Sequence, residues 1–203
     1  MTAPITGIRF VLSGCADPYR IDEFNAWYDG YAGACLDPGH YLTAARFETA
    51  DATAGPPYLA IYETADADPV MAWALTAERL ADPHGDPRAA LLVTFLRSSY
   101  ALVASTGDPV PARTGAIIRM SEPIAAPDLA GLWPRLRADA SGSLGENLLR
   151  HSIYRALEGR PEPAPVLEVV EFSGSPPVLP PLAEGLRLVL SGTFDERLRR
   201  VVG

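Results

Sequence analysis

The sequence predicts an α+β fold of two tandem βαββαβ units, residues 1–106 and 113–203, packed sheet against sheet within one chain. Three observations lead there. First, local patterns recur at a nearly constant shift. Trp27 precedes Gly39 by twelve residues, as Trp133 precedes Gly145, a shift of 106. Pro57-Tyr-Leu-Ala-Ile-Tyr-Glu63 matches Pro165-Val-Leu-Glu-Val-Val-Glu171, and Pro69-Val70-Met71 matches Pro177-Val178-Leu179, both at a shift of 108. Second, the hydrophobic period switches between two and 3.6 residues in the same order in both halves. Third, a chain of 203 residues that is 48% apolar can bury a core, yet it has no run of eighteen apolar residues that would span a bilayer.

In the first half, residues 8–13 alternate and read as a strand, broken by Asp17-Pro18. A helix is expected over 21–34, with Ile21, Phe24, Trp27, Tyr28 and Tyr31 on one face and Asp37-Pro38-Gly39 as its stop. Residues 40–48 and 58–64 read as strands around a Gly55-Pro56-Pro57 loop. Asp68-Pro69 opens a second helix running to about residue 80, and 90–104 reads as a long strand. Residues 106–113, with two prolines and a glycine, form the linker. In the second half, strands are expected over 115–120, 146–157 and 166–173, and a helix over 127–140. The Pro176-Pro177 and Pro180-Pro181 pairs push the last helix to 182–190, and 195–202 reads as a short terminal helix. No fourth strand is evident in this half.

The βαββαβ order is the ferredoxin-like arrangement, an antiparallel sheet with both helices on one face. Its other face must be covered. Two copies facing one another close a barrel-like core, and the space between the sheets is expected to hold a small molecule. On the first strand, Ile8, Phe10 and Leu12 are assigned to the helix side, and Arg9, Val11 and Ser13 to that inner space.

Composition removes several chemistries. All seventeen cationic residues are arginines, so no lysine is present for a Schiff base or a P-loop. A net charge of −8 without a basic cluster argues against nucleic acid. Two cysteines, Cys15 and Cys35, fit a reducing compartment and cannot make a four-cysteine zinc site. Three scattered histidines give no metal-ligand spacing. The N-terminus lacks the basic and apolar regions of a signal peptide, so a cytoplasmic location is expected.

His40 follows the first helix and reads as a general base or a ligand donor, or else as a hydrogen-bonded strand-end histidine. His151 occupies the corresponding strand of the second half, and His84 falls in a loop. Tyr28 and Tyr31 share a helix face with Trp27, where they line a pocket or serve as core aromatics. Asp29 orients His40, acts as a base, or simply faces solvent. Tyr62 and Arg9 are further candidates for substrate contact. Among the strand arginines Arg9, Arg97 and Arg119, a buried one needs a carboxylate such as Glu63 or Glu171. Both cysteines read as small buried residues rather than nucleophiles.

The run Phe24-Asn-Ala-Trp-Tyr-Asp29, then Pro38-Gly39, then Ala44-Ala-Arg-Phe-Glu48, then Tyr58-Leu-Ala-Ile-Tyr-Glu63, resembles EthD-like members of the dimeric α+β barrel superfamily. The resemblance covers residues 8–80 well and 115–175 weakly. It implies that barrel. Relatives include polyketide cyclases, muconolactone isomerases, cofactor-free monooxygenases and haem-handling enzymes, so the fold leaves the reaction open. Related sequences often carry His three residues after the Asp, where this chain has Ala32. The second half has Trp133-Pro134-Arg135 and lacks the Tyr-Asp pair.

The expectation is therefore a cofactor-independent cyclase or isomerase acting on a hydrophobic, polyketide-like or aromatic molecule. His40, Tyr28 and Asp29 are its catalytic candidates, and Trp27, Tyr31, Tyr62, Arg9 and His151 its substrate contacts. No cofactor, metal, nucleic acid or membrane is called for, and the chain is expected as a monomer or homodimer. A cofactor-free monooxygenase, a non-catalytic carrier and a dimerisation module are the alternatives.

Overall fold

A computed structural model describes residues 4–49, 55–80, 85–107, 115–124, 134, 136, 147–157 and 165–202. Ten elements organise them: β1 (Gly7–Cys15), α1 (Ile21–Ala34), β2 (Thr43–Thr49), β3 (Tyr58–Thr64), α2 (Pro69–Arg79), β4 (Leu92–Thr106), β5 (Gly115–Pro123), β6 (Leu148–Ala156), β7 (Val166–Phe172) and β8 (Leu186–Val201). The eight strands close an antiparallel barrel in the order β1-β3-β2-β8-β5-β7-β6-β4. Within the first half the order is β4-β1-β3-β2, and within the second it is β8-β5-β7-β6.

β4 and β8 bind the halves together. β4 pairs with β1 through Ala101 and with β6 from Tyr100 onward. β8 pairs with β5 through Asp195 and with β2 from Phe194 onward. Both strands must bend to cross between partners, and bulges supply the bend. β4 carries unpaired residues at Phe95 and Val103, and β8 at Val189 and Arg197, eight residues apart in each strand. Gly7 and Gly115, at the starts of β1 and β5, share another device. A Cβ at either would run into a neighbouring-strand carbonyl, that of Tyr100 or of Phe194.

The local sequence explains the helices. Asp68 caps α2 by accepting from the amides of Val70 (2.9 Å) and Met71 (3.2 Å), with Pro69 as the first helical residue. Asp22 and Glu23 sit in the first turn of α1, where negative charge complements the helix dipole.

Three expectations are corrected. In place of the helices expected at 182–190 and 195–202, residues Leu186–Val201 form one strand, β8, the fourth of its half. Residues 173–185, with four prolines, run as an irregular segment where the first half has α2. Their Leu179 packs on Ile117, Val170 and Phe172, and Leu182 and Ala183 pack on Leu136, Ile153, Val166 and Leu186. The terminal segment escaped recognition because Arg199 and Glu196 are largely buried and paired, which masks the period of two. Thirdly, the faces of β1 are reversed: Ile8, Phe10 and Leu12 point into the barrel, whereas Val11 packs with Phe24, Trp27 and Tyr28 of α1. The helix expected at 127–140 lies largely outside the described residues, as do His84, Trp133, Gly145 and most of the linker; Pro134 and Leu136 are helical.

The space between the half-sheets is occupied by side chains from all eight strands, among them Ile8, Phe47, Leu59, Tyr100, Ile118, Tyr154, Val169 and Phe194. Burial of this cluster is the main driving force for closing the barrel. One end of the interior is ionic. Arg150 pairs with both Glu63 and Glu171, Arg199 approaches Glu171 at 3.9 Å and bonds Glu196 at 2.9 Å, and Thr43 donates to Glu63 at 2.6 Å. Glu63 and Glu171, 108 residues apart in sequence, thus meet on one guanidinium from β6.

Candidate functional site

The outer face of the first half-sheet, beneath α1 and α2, gathers most of the candidate residues. Their positions follow from strand parity: Arg9, Val11 and Ser13 of β1 and Tyr58, Ala60 and Tyr62 of β3 turn away from the barrel interior. From α1, Trp27 stacks on Tyr28 and Tyr31, with centroids 5.8 and 5.5 Å away. Tyr62 lies 5.7 Å from Tyr41, which enters from the α1–β2 connection. Trp27, Tyr28, Tyr31 and Tyr62 therefore belong to a single aromatic cluster.

Arg9 faces the helices, not the barrel interior. Its guanidinium lies 4.9 Å from the Trp73 ring of α2 and donates to Ser99 Oγ at 3.1 Å. Tyr41 is wholly buried, and its hydroxyl has no hydrogen-bond partner among the described residues. Burial, the largest influence, raises its pKa, against the lowering effect of nearby Arg9. Burial likewise raises Tyr28, Tyr31 and Tyr62 and pushes the Cys35 thiol up to about 12. Cys35 is therefore a protonated wall residue rather than a nucleophile.

His40 lies in the bend before β2. Its Nδ1 is 3.0 Å from Asp66 Oδ2, while its Nε2 is buried and has no hydrogen-bond partner among the described residues. The backbone around it is tied down: Thr64 Oγ1 donates to the His40 carbonyl at 2.6 Å and accepts from the Asp66 amide at 3.0 Å. A carboxylate on one ring nitrogen fixes the imidazole and leaves the other to exchange a proton.

Asp29 does not meet His40. It pairs with Arg46 and lies 3.7 Å from Arg197 of β8. Arg46 is wholly buried and caged by Tyr28 (4.2 Å), Tyr58 (5.5 Å) and Phe24 (5.7 Å), and it donates to the Asn25 carbonyl and side chain. This pair fastens α1 to the sheet. His151 is also elsewhere. It is buried on the outer face of the second half, 3.4 Å from Glu168, which pairs with Arg119. Burial acts to raise the Glu168 pKa, but His151 and Arg119 together hold it below the usual carboxylate range. Of the other strand arginines, Arg119 pairs with Glu168, and Arg97 is exposed and bonds Thr94.

Sequence reasoning missed Asp66 and Trp73 as site residues. Asp66 lies in an acidic loop without periodicity, and only its distance from His40 reveals it. Trp73 was discoverable as the aromatic residue on α2 one turn after its cap. Among the described residues, no three His, Cys, Asp or Glu side chains converge to hold a metal ion. Nor is any helix among the described residues long and apolar enough to cross a membrane.

No family model and no curated protein matches the chain. Solved structures do resemble it. An anthrone oxidase-like protein aligns over 100% of this chain and 94% of its own, with a TM-score of 0.56 and 11% identity. A mutant chlorite dismutase from Candidatus Nitrospira defluvii aligns over 86% of this chain and 79% of its own, with a TM-score of 0.56 and 6% identity. A candidate monooxygenase from Lactobacillus acidophilus aligns over 98% of this chain and 94% of its own, with a TM-score of 0.50 and 7% identity. At such identities the likeness is one of fold, the dimeric α+β barrel.

Proposed function

We propose that this chain is a small-molecule enzyme, a duplicated α+β barrel in which the first half carries a proton-transfer site. His40 is its general base and Asp66 the residue that orients it. The observation that carries this reading is the buried Nε2, without a hydrogen-bond partner among the described residues, of an imidazole whose Nδ1 is held by a carboxylate. Its substrate is an enolisable or phenolic aromatic molecule, suited to the Trp27, Tyr31, Tyr62 and Trp73 walls. The acidic C–H or O–H proton passes to His40 Nε2, and the bonding electron pair moves onto the substrate oxygen. Arg9 and the Tyr41 hydroxyl stabilise that oxyanion. Returning the proton at another carbon completes an isomerase cycle. Attack of the enolate carbon on a carbonyl of the same molecule, whose π pair moves to an oxygen that takes the proton back from His40, completes a cyclase cycle. Neither consumes a cofactor. The repeated strand order, paired bulges and matched glycines support the duplication.

Proton abstraction is measurable before the natural substrate is known. Deuterium exchange into the methylene of anthrone, followed by NMR without oxygen, should be accelerated by the protein. His40→Gln should slow the catalysed exchange about 10²–10⁴-fold. No acceleration with anthrone or a phenolic ketone, or unchanged exchange in His40→Gln, would overturn the assignment. A second reading, cofactor-free monooxygenation, is favoured by the names of two structural neighbours, anthrone oxidase-like protein and candidate monooxygenase. The same carbanion would then attack molecular oxygen. Oxygen uptake stoichiometric with substrate loss selects this reading, and product formation without uptake selects the isomerase or cyclase.

A further inference from the structure

The barrel has two seams where its halves meet, β2 with β8 and β6 with β4, and their inward-facing residues correspond. At the first seam Ala45 faces Arg199 and Phe47 faces Glu196; at the second Ser152 faces Ser105 and Tyr154 faces Leu102. At the first seam Arg199 and Glu196 hydrogen-bond each other. At the second, two serines stand in place of alanine and arginine, and a cavity of about 170 Å³ opens there. Its lining is Ile5, Leu102, Ser105, Gly107, Arg150, Ser152 and Tyr154.

We propose that this seam cavity is a second small-molecule site, for a neutral one-ring compound bearing a hydroxyl, separate from the helix-side site of His40. Size sets the first limit, since a cavity of about 150 Å³ accommodates a benzene-sized molecule. The walls set the second. Leu102, Ile5 and Tyr154 offer apolar contact, while Ser105 and Ser152, bonded to each other at 2.9 Å, offer hydroxyls that can turn to a ligand. Charge sets the third. Arg150 is 3% exposed and already engages Glu63 through Nη2 and Glu171 through Nε, so an entering carboxylate would meet two glutamates on the one guanidinium. A neutral hydroxyl avoids that repulsion and can both donate and accept. Leaving such a space unfilled weakens a protein, and the counterpart positions at the first seam carry an ion pair instead of two serines.

The test uses phenol and benzoate as probes on the full chain, read by amide chemical shifts. Phenol should shift the resonances of Leu102, Ser105 and Ser152 with a Kd on the order of 0.1–1 mM. Benzoate should bind about tenfold more weakly or not at all. Ser152→Leu, which fills the space, should abolish the phenol shifts; if that variant does not fold, Ser105→Leu makes the same test from the opposite strand. No phenol shifts at the seam, equal affinity for benzoate, or retained binding in the filled variant would overturn the proposal. His40→Gln should leave phenol binding at the seam unchanged, so the two sites are judged independently.

Discussion

Replacing Arg46 by methionine should destabilise the protein by about 3 kcal/mol. The guanidinium is wholly buried between α1 and the sheet, where it donates to the Asn25 carbonyl at 3.3 Å and to its Oδ1 at 3.1 Å, and pairs with Asp29. Hydrogen bonds from a charged donor contribute about 1.5–3 kcal/mol each, and a desolvated cation over an aromatic face about 2 kcal/mol. Against these stands the desolvation of the guanidinium, several kcal/mol, which methionine does not incur. Removing one partner of a buried ion pair costs about 3–5 kcal/mol. Asp29 keeps 27% of its side chain exposed and has Arg197 at 3.7 Å, so the low end applies. Methionine preserves the stem packing among Phe24, Tyr28 and Tyr58 and isolates the electrostatic part. At about 2–4 °C per kcal/mol for a chain of this size, the melting temperature should fall by roughly 6–12 °C. Urea unfolding followed by circular dichroism gives the free energy directly. Arg46→Met combined with Asp29→Asn should be little worse than Arg46→Met alone, because the two share one interaction. If Arg46→Met lies within about 0.5 kcal/mol of the parent, the caged ion pair does not fasten α1 and apolar packing alone does.

Other outcomes follow from the same geometry. Gly115→Ala forces a methyl group against the Phe194 carbonyl and should destabilise by about 1–3 kcal/mol in urea melts; unchanged stability would mean that β5 and β8 separate freely. Burial raises the pKa of Tyr28, Tyr31, Tyr41, Tyr62 and Tyr100. Their folded pKa exceeds the unfolded value, so the stability they contribute is complete below the ordinary tyrosine pKa of about 10 and is lost as pH rises beyond it. Absorbance at 295 nm should show these five ionising together with alkaline unfolding, not before it. Glu168 behaves oppositely. Its lowered pKa gives stability present above the ordinary glutamate value and lost as pH falls through the folded value, so Glu168→Gln should flatten the acid limb of the stability curve. Asp66→Asn should lower the rate of His40-dependent exchange and leave probe affinity nearly unchanged, as expected for a positioning residue.

Much of the first half was legible because local and tertiary preferences agree there. The expected helix over 21–34 coincides with α1, and Asp68-Pro69 opened the second helix where expected. Face assignment failed on β1 because both of its faces are buried, so alternation could not say which side met the helices. The end of the second half failed for a different reason: β8 turns Arg199 inward, and a strand with a charged interior residue loses its period. The His40–Asp66 pair joins residues 26 apart through the meeting of two connections, which no spacing rule encodes.

A ring assembled from two identical subunits must reproduce every contact across its symmetry axis, so a change at one junction is imposed on the other. This chain is released from that rule, because its junctions are encoded by different codons. One carries Arg199 and Glu196, the other Ser105 and Leu102. Rigidity can thus be concentrated at one junction while the other stays free to diversify.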